Sequence, residues 1–251
     1  WYVGKKVGEI WGYKASGLLQ TQEEADTYNN TYDLSFLSGQ KWMPGDVKYM
    51  DLNNDKKINN GNNTLEDMGD MCVIGNTTPR YQYTLNGSIS WKGISLSMMF
   101  QGIGKRNWSP DLGTVYFWGA YAQVTVFNDH LDYWTPENPD AYYPNPYTGA
   151  AGSINQFRNK TSQKSDRYMQ SAAYCRLKNL TISYDLPNSW SQKIGLSKAQ
   201  VFFSGENLLT FTKLPSMFDP EAIFTGNDYT SEAGKNYPMN KVLSIGVIVN
   251  L

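Results

Sequence analysis

Between Tyr81 and Trp91 the chain alternates residue by residue. Tyr81, Tyr83, Leu85, Ile89 and Trp91 are apolar or aromatic, while Gln82, Thr84, Asn86, Ser88 and Ser90 are polar and uncharged. A period of two sorts side chains onto the two faces of a strand; a helix of 3.6 residues per turn would scatter them. Lys92-Gly93 then forms a two-residue turn. Ile94, Leu96, Met98 and Phe100 continue the apolar phase, with Ser95, Ser97 and Gln101 on the other side. Together these residues predict a β-hairpin.

The same pattern recurs. A third strand is predicted over Ala173 to Leu186. Cys175 and Leu177 share one phase there, and Leu180, Ile182, Tyr184 and Leu186 the other. The change of phase at Lys178-Asn179 predicts a bulge. A fourth strand runs from about Gln200 to Phe211. The last ends the chain, with Leu243, Ile245, Val247, Val249 and Leu251 alternating with mostly small or polar residues. The short connections, Lys92-Gly93 and Pro187 to Lys198, fall on one side of this sheet. The other side carries two long ones, residues 104–170 and 212–240, rich in Asn, Pro, Tyr and Gly. Long connections without regular structure are usually functional.

Two all-β architectures satisfy this pattern. In a secreted β-sandwich the apolar face packs on a second sheet. In a transmembrane β-barrel it meets lipid, and the polar face lines a wet lumen. The barrel is favoured because the polar faces are Ser, Thr, Asn and Gln rather than Lys and Glu. Aromatics at strand ends, Tyr81 and Tyr83 at one and Trp91 at the other, also suit an interfacial girdle. Both readings remain open on these residues.

Composition removes other classes. Lys plus Arg is 22 and Asp plus Glu is 23, a net charge of -1 that disfavours nucleic-acid binding. Mean hydropathy is -0.53, and the longest near-continuous apolar run, Val115 to Ala122, is far too short for a membrane-spanning helix. Two Cys and one His leave little room for a Cys/His zinc site or a disulfide framework. The chain opens Trp1-Tyr2-Val3, without a leader peptide, and is expected to be processed or part of a longer protein.

Residues 1–80 are less regular and are read as a strand-and-loop region distinct from the strands and long loops of 81–251. Val7 to Leu19 is expected to form one strand, bent at Gly8, Gly12 and Gly17. Gln20 to Tyr32 is expected to form a short helix with Thr21 as N-cap and Glu24 at the capping-box position. Another short helix is expected within Asp129 to Pro139.

Asp51, Asn53, Asp55 and Asn59 occupy positions 1, 3, 5 and 9 of a calcium-loop pattern, and Lys57 supplies a carbonyl at position 7. Two departures stand out: position 6 is Lys56 rather than Gly, and position 12 is Asn62 rather than Glu. Glu66, Asp67 or Asp70 would close such a site. A structural Ca2+ that stiffens the loop and a metal-free, Asx-rich turn are equal alternatives.

Trp108, Tyr116, Trp118 and Tyr121 lead a set of loop aromatics able to stack on sugar rings or touch a partner, although aromatics also fill long loops by packing together. No catalysis is expected. His130 has no nucleophile motif beside it, and the acid pairs Asp219/Glu221 and Asp129/Asp132 have nothing to position them.

Six stretches carry a resemblance: GEIWGYKASGLLQT (8–21), PGDVKYMDLNNDKKIN (44–59), IGNTTPRYQYTLNGSISWKGISLSMMFQG (74–102), YWTPENPDAYYP (133–144), AAYCRLKNLTISYDLP (172–187) and VFFSGENLLTFTKLPSMFDPE (201–221). With the closing YPMNKVLSIGVIVNL they run in the order found in the C-terminal part of SusC/RagA-type TonB-dependent outer-membrane transporters. The chain departs from that family in ending on Leu251 rather than an aromatic.

The resemblance implies an antiparallel transmembrane β-barrel of about 22 strands, of which this chain supplies the last few strands and their long extracellular loops. It further implies uptake of glycans or peptides across the outer membrane of a Gram-negative bacterium. A SusD-like lipoprotein lid and the TonB complex, reached through an absent N-terminal plug, would be the partners. The runner-up is a secreted, calcium-stiffened β-sandwich that binds carbohydrate.

Overall fold

The computed structural model describes residues 4–38, 40–110, 128–146, 160, 163–223 and 237–250. In chain order the elements are β1 (Glu9–Tyr13), β2 (Ala15–Leu18), α1 (Gln22–Thr31), β3 (Val47–Tyr49), β4 (Met71–Asn76), β5 (Arg80–Trp91) and β6 (Ile94–Lys105). There follow β7 (Asn107–Trp108), β8 (Gln170–Ser171), β9 (Tyr174–Asp185), α2 (Asn188–Ser191), β10 (Lys198–Thr212) and β11 (Val242–Asn250). No helix among the described residues is long and apolar enough to cross a membrane.

The elements form two compact units. One is built from described residues of Trp1–Thr78 and Asn107–Gln170, the other from those of Pro79–Arg106, Ser171–Ile223 and Asn236–Leu251. The described residues of the long connection after β6 therefore group with the N-terminal region rather than with the strands that flank it.

In the first unit, the single strand expected over Val7 to Leu19 is two. β1 pairs antiparallel with β4, while β2 pairs with β3. The break falls at Lys14, whose carbonyl accepts from Met50 N. α1 begins as its sequence demands: the Thr21 hydroxyl accepts from Glu24 N at 3.1 Å. The Glu24 carboxylate reaches back to Gln20 N at 2.8 Å, one residue before the cap. The helix buries Ala25 and Tyr28, and Trp42, Val47, Tyr49 and Ile58 complete a closed core. Within that core Lys160 Nζ lies 3.1 Å from Asp46 Oδ2, with both side chains fully buried. A 3-10 turn at Asn128–Leu131 stands where a short helix was expected.

The second unit is a five-stranded sheet in the order β11-β10-β9-β6-β5, antiparallel throughout. Lys92 and Gly93 both have positive φ, 47° and 84°, the backbone of a tight turn whose twist matches a right-twisted hairpin. The predicted bulge is present. β6 shifts register between Met99 and Phe100, and β10 between Glu206 and Leu209, both opposite Lys178. Tyr83 stands directly opposite Gly102, and Phe202 opposite Gly246. In both pairs the ring occupies the space that a Cβ on the glycine would need, so an aromatic covers the gap left by each glycine.

Candidate functional site

The register of the five strands sorts their side chains onto two chemically different faces. One row of directly paired residues runs Trp91, Ile94, Tyr184, Val201, Val247; the next on the same side runs Ile89, Leu96, Ile182, Phe203, Ile245. Beyond the bulge the row continues as Leu85, Phe100, Leu177, Leu209. The opposite face is built from rows such as Ser88, Ser97, Thr181, Ser204, Ser244, and Thr84, Gln101, Arg176, Thr210. Ser90 and Ser95 join hydroxyls across the hairpin at 2.8 Å. A shallow hollow of about 310 Å³ on the polar side is lined by Asn86, Ser88, Ser97, Met99 and Asn179.

The apolar face is uncovered. Leu85 is 65% exposed, Ile89 66%, Phe211 60% and Ile245 84%. Every residue of β5 is exposed, and β11 is nearly so. Those two strands are also the outer edges of the sheet and carry no partner on their far sides among the described residues. A sandwich would cover this face with a second sheet, and a soluble monomer rarely leaves so large an apolar surface open.

The Asp51 loop lies in the first unit. Asp51 accepts from Asn54 N at 2.7 Å and Lys56 N at 2.9 Å, and Asp55 from Lys57 N at 2.7 Å. Asp70 accepts from Leu52 N and Asn59 N, Asp67 from Asn62 N, and the side-chain oxygen of Asn59 from Gly61 N. Burial raises the Asp70 carboxyl above its usual range despite those amides, with Asp51 adding repulsion. Lys56 has φ +62°, so the position where a calcium loop places glycine is left-handed here too. Among the described residues no three His, Cys, Asp or Glu side chains gather as a metal-binding group. A cation here would therefore draw on amide and backbone oxygens, from Asn53 and Lys57, as well as on carboxylates.

Trp108, on β7, is only 2% exposed and fills the core of the first unit, so its ring offers no surface to a ligand. Tyr116, Trp118 and Tyr121 lie outside the described residues. His130 is buried, with its ring edge-on to Tyr143 at 5.4 Å between centroids.

Charges on the polar face concentrate at one place that the sequence reading passed over. Arg176 and Lys178 of β9 meet Asp219 and Glu221 in the segment after β10. The signal was available, because these two cations interrupt an otherwise nearly uncharged strand. The acids that seemed unplaced in sequence are held by them.

No protein-family profile matches the chain. TonB-dependent receptor P3 of Formosa agariphila is 28% identical over 97% of this chain and 22% of the relative's length. TonB-dependent receptor P26 of the same organism is 25% identical over 98% of this chain and 23% of its own length. The chain is similar to one part of the TonB-dependent receptors. It spans under a quarter of the curated relatives it matches. Among solved structures, the RagAB peptide importer in the "open-open" state superposes on all of this chain and 23% of that one, with a TM-score of 0.61 at 20% identity. The RagAB peptide transporter gives 0.59 at 21% identity, over 99% of this chain. The likeness is one of fold: a mostly antiparallel β structure like that of these receptors.

Proposed function

We propose that this chain is part of the wall and outer vestibule of a SusC/RagA-type TonB-dependent importer in a Gram-negative outer membrane. β5, β6, β9, β10 and β11 span the bilayer. Their Leu, Ile, Val and aromatic face meets lipid, and their Ser, Thr, Asn and Gln face lines the lumen. The observation that carries this reading is the uncovered apolar face on strands whose edges are also open. Most of these strands are 12 residues or longer, more than the ~9–11 that a tilted spanning strand needs. Closure into a barrel of about 22 strands is part of the same proposal, and the fold likeness to the RagAB importer supports it.

The cargo is a glycan or a peptide, moved by binding and release without bond chemistry. A SusD-like surface lipoprotein caps the barrel, a pairing supported by the RagAB importer, and TonB supplies the energy. Fractionation of the native protein tests this reading. An outer-membrane band of roughly 100 kDa or more, about four times this chain by the coverage of its relatives, is the expected result. A soluble 28.4 kDa species would overturn it and restore the carbohydrate-binding sandwich. Uptake of labelled oligosaccharides and oligopeptides by cells with and without the receptor separates the two cargo classes.

The Asp51 loop is proposed to take a structural Ca2+ through Asp51, Asn53, Asp55, the Lys57 carbonyl and Asn59, with Asp67 or Asp70 closing the site. The left-handed backbone at Lys56 supports it, because that conformation turns the oxygens of a calcium loop inward. Calorimetric titration of the full receptor with Ca2+ is expected to give one site that Asp51→Ala removes. Equal heats for the two proteins would leave the loop a metal-free Asx turn.

A further inference from the structure

A groove of about 680 Å³ lies on the apolar face of the second unit, at the end that carries the Lys92-Gly93 turn. Ile94, Tyr184 and Val201 line it from one row of the register, and Ile182, Phe203 and Ile245 from the next. Lys92 stands at its mouth and is the one charged residue in the lining. The Lys92 ammonium is held there. Its Nζ lies 4.7 Å from the centroid of the Trp91 ring, which is 67% exposed on the same face. A cation over an aromatic face is attracted to it without losing its own hydrogen-bond donors.

Two further observations concern this lysine. Its φ is +47°, at a turn position that favours Asn, Asp or Gly. A lysine there carries a steric cost, and backbone strain of this kind points to a role for the side chain it displays. The charge also has no acidic neighbour on its own face. At this end of the sheet the nearest carboxylate in the register, Asp185, sits in the polar phase beside Tyr184. It accepts from Gln200 Nε2 at 2.8 Å and lies 3.2 Å from Lys198 Nζ. Among the described residues, the apolar rows from Trp91 to Val247 and from Ile89 to Ile245 hold no acid. An apolar groove thus ends in a single cation whose countercharge must come from outside the sheet.

We propose that this groove is a binding site for one anionic glycerophospholipid, with its phosphate on Lys92 and the upper part of an acyl chain along Ile94, Ile182 and Phe203. The inference rests on the barrel-wall reading and deepens it by naming the lipid. In that reading short turns face the periplasm, so Lys92 and Trp91 lie at the level of the inner-leaflet headgroups. Trp91 and Tyr184 suit that level, because an aromatic ring with one polar atom is stable where lipid meets water. The charge pattern selects the headgroup. A phosphatidylglycerol brings one negative charge to one lysine. A zwitterionic headgroup brings an ammonium as well, and no acid on this face is placed to receive it.

Photo-crosslinking tests this on the full-length receptor in phosphatidylcholine vesicles. Two probes are used, a phosphatidylglycerol and a phosphatidylcholine, each with a diazirine high on one acyl chain and each a minor component of the bilayer. Labelled residues are mapped by mass spectrometry. The phosphatidylglycerol probe is expected to label Ile182–Tyr184 and Val201–Phe203 more than the phosphatidylcholine probe does. Lys92→Gln should cut that labelling about fivefold, the size of one lysine's attraction to anionic lipid at a membrane surface, and Lys92→Arg should keep it. Equal labelling of the wild type by both probes overturns the site without requiring any variant to fold. So does unchanged labelling in Lys92→Gln, or phosphatidylglycerol label spread evenly to Leu85, Leu209 and Leu243. In each of these outcomes the apolar face still meets lipid, so the barrel-wall reading survives. Absence of label from both probes across the whole apolar face overturns that reading and the lipid site together.

Discussion

At the scale of single residues, buried charge decides most. Asp46 and Lys160 are fully buried and 3.1 Å apart. Asp46 also accepts from Met43 N at 2.8 Å, so its carboxylate organises the turn before β3 as well as the lysine. Asp46→Ala would leave the buried Lys160 ammonium without its carboxylate, with only the Lys41 carbonyl and the Trp42 ring beside it, and is expected to cost about 3–5 kcal/mol, read as a fall in the denaturant midpoint at unchanged slope. A loss under about 1 kcal/mol would mean that Lys160 escapes to water when its partner is removed. Tyr28 belongs to the same core. Burial raises its phenol well above the ordinary range even though its oxygen accepts from Tyr49 N at 3.1 Å, and it stays neutral at any physiological pH.

At the scale of elements, β5 and β11 differ from ordinary strands in being exposed on both faces. Under the proposed barrel-wall reading their alternation records two solvents rather than an inside and an outside. Leu85, at the middle of β5, tests this directly. Leu85→Arg is expected to destabilise the membrane-embedded receptor by ~2–4 kcal/mol, as a charge at the bilayer midplane does. Ser88→Arg, three residues on, points to the polar hollow of about 310 Å³ and is expected to be tolerated within about 1 kcal/mol. Unfolding in lipid vesicles measures both. Equal penalties would mean that the two faces see the same medium, which the barrel-wall reading forbids.

At the scale of the whole molecule, the open edges matter more than any contact. Among the described residues, β5 and β11 have no strand partner on their far sides, and nothing covers the apolar face beside them. Strand edges of this kind template pairing with other chains. The 251 residues expressed alone in detergent-free buffer are therefore expected to aggregate, while detergent should hold them in solution. Light scattering across the critical micelle concentration reads the difference. A monodisperse, detergent-independent monomer would contradict the barrel-wall reading.

Much of this was legible in the sequence because a period of two needs only local information. β5, β6, β9, β10 and β11, the tight turn at Lys92-Gly93 and the bulge at Lys178 all follow from which residues alternate and where the phase slips. The N-cap at Thr21 is equally local. What the sequence could not supply is pairing across distance. Splitting Val7 to Leu19 into two strands depends on two different partners, β4 and β3, both remote in the chain. Trp108 looked like a loop aromatic, but a core closes over it. Asp219 and Glu221 looked unplaced until the fold brought β9 to them. The sequence by itself determined that the strands have one apolar and one polar face, because alternation is a property of neighbouring residues. Only the tertiary structure decided that nothing among the described residues covers the apolar face and that a buried Arg176 pairs with Asp219, because burial and ion pairing depend on groups that meet only after folding.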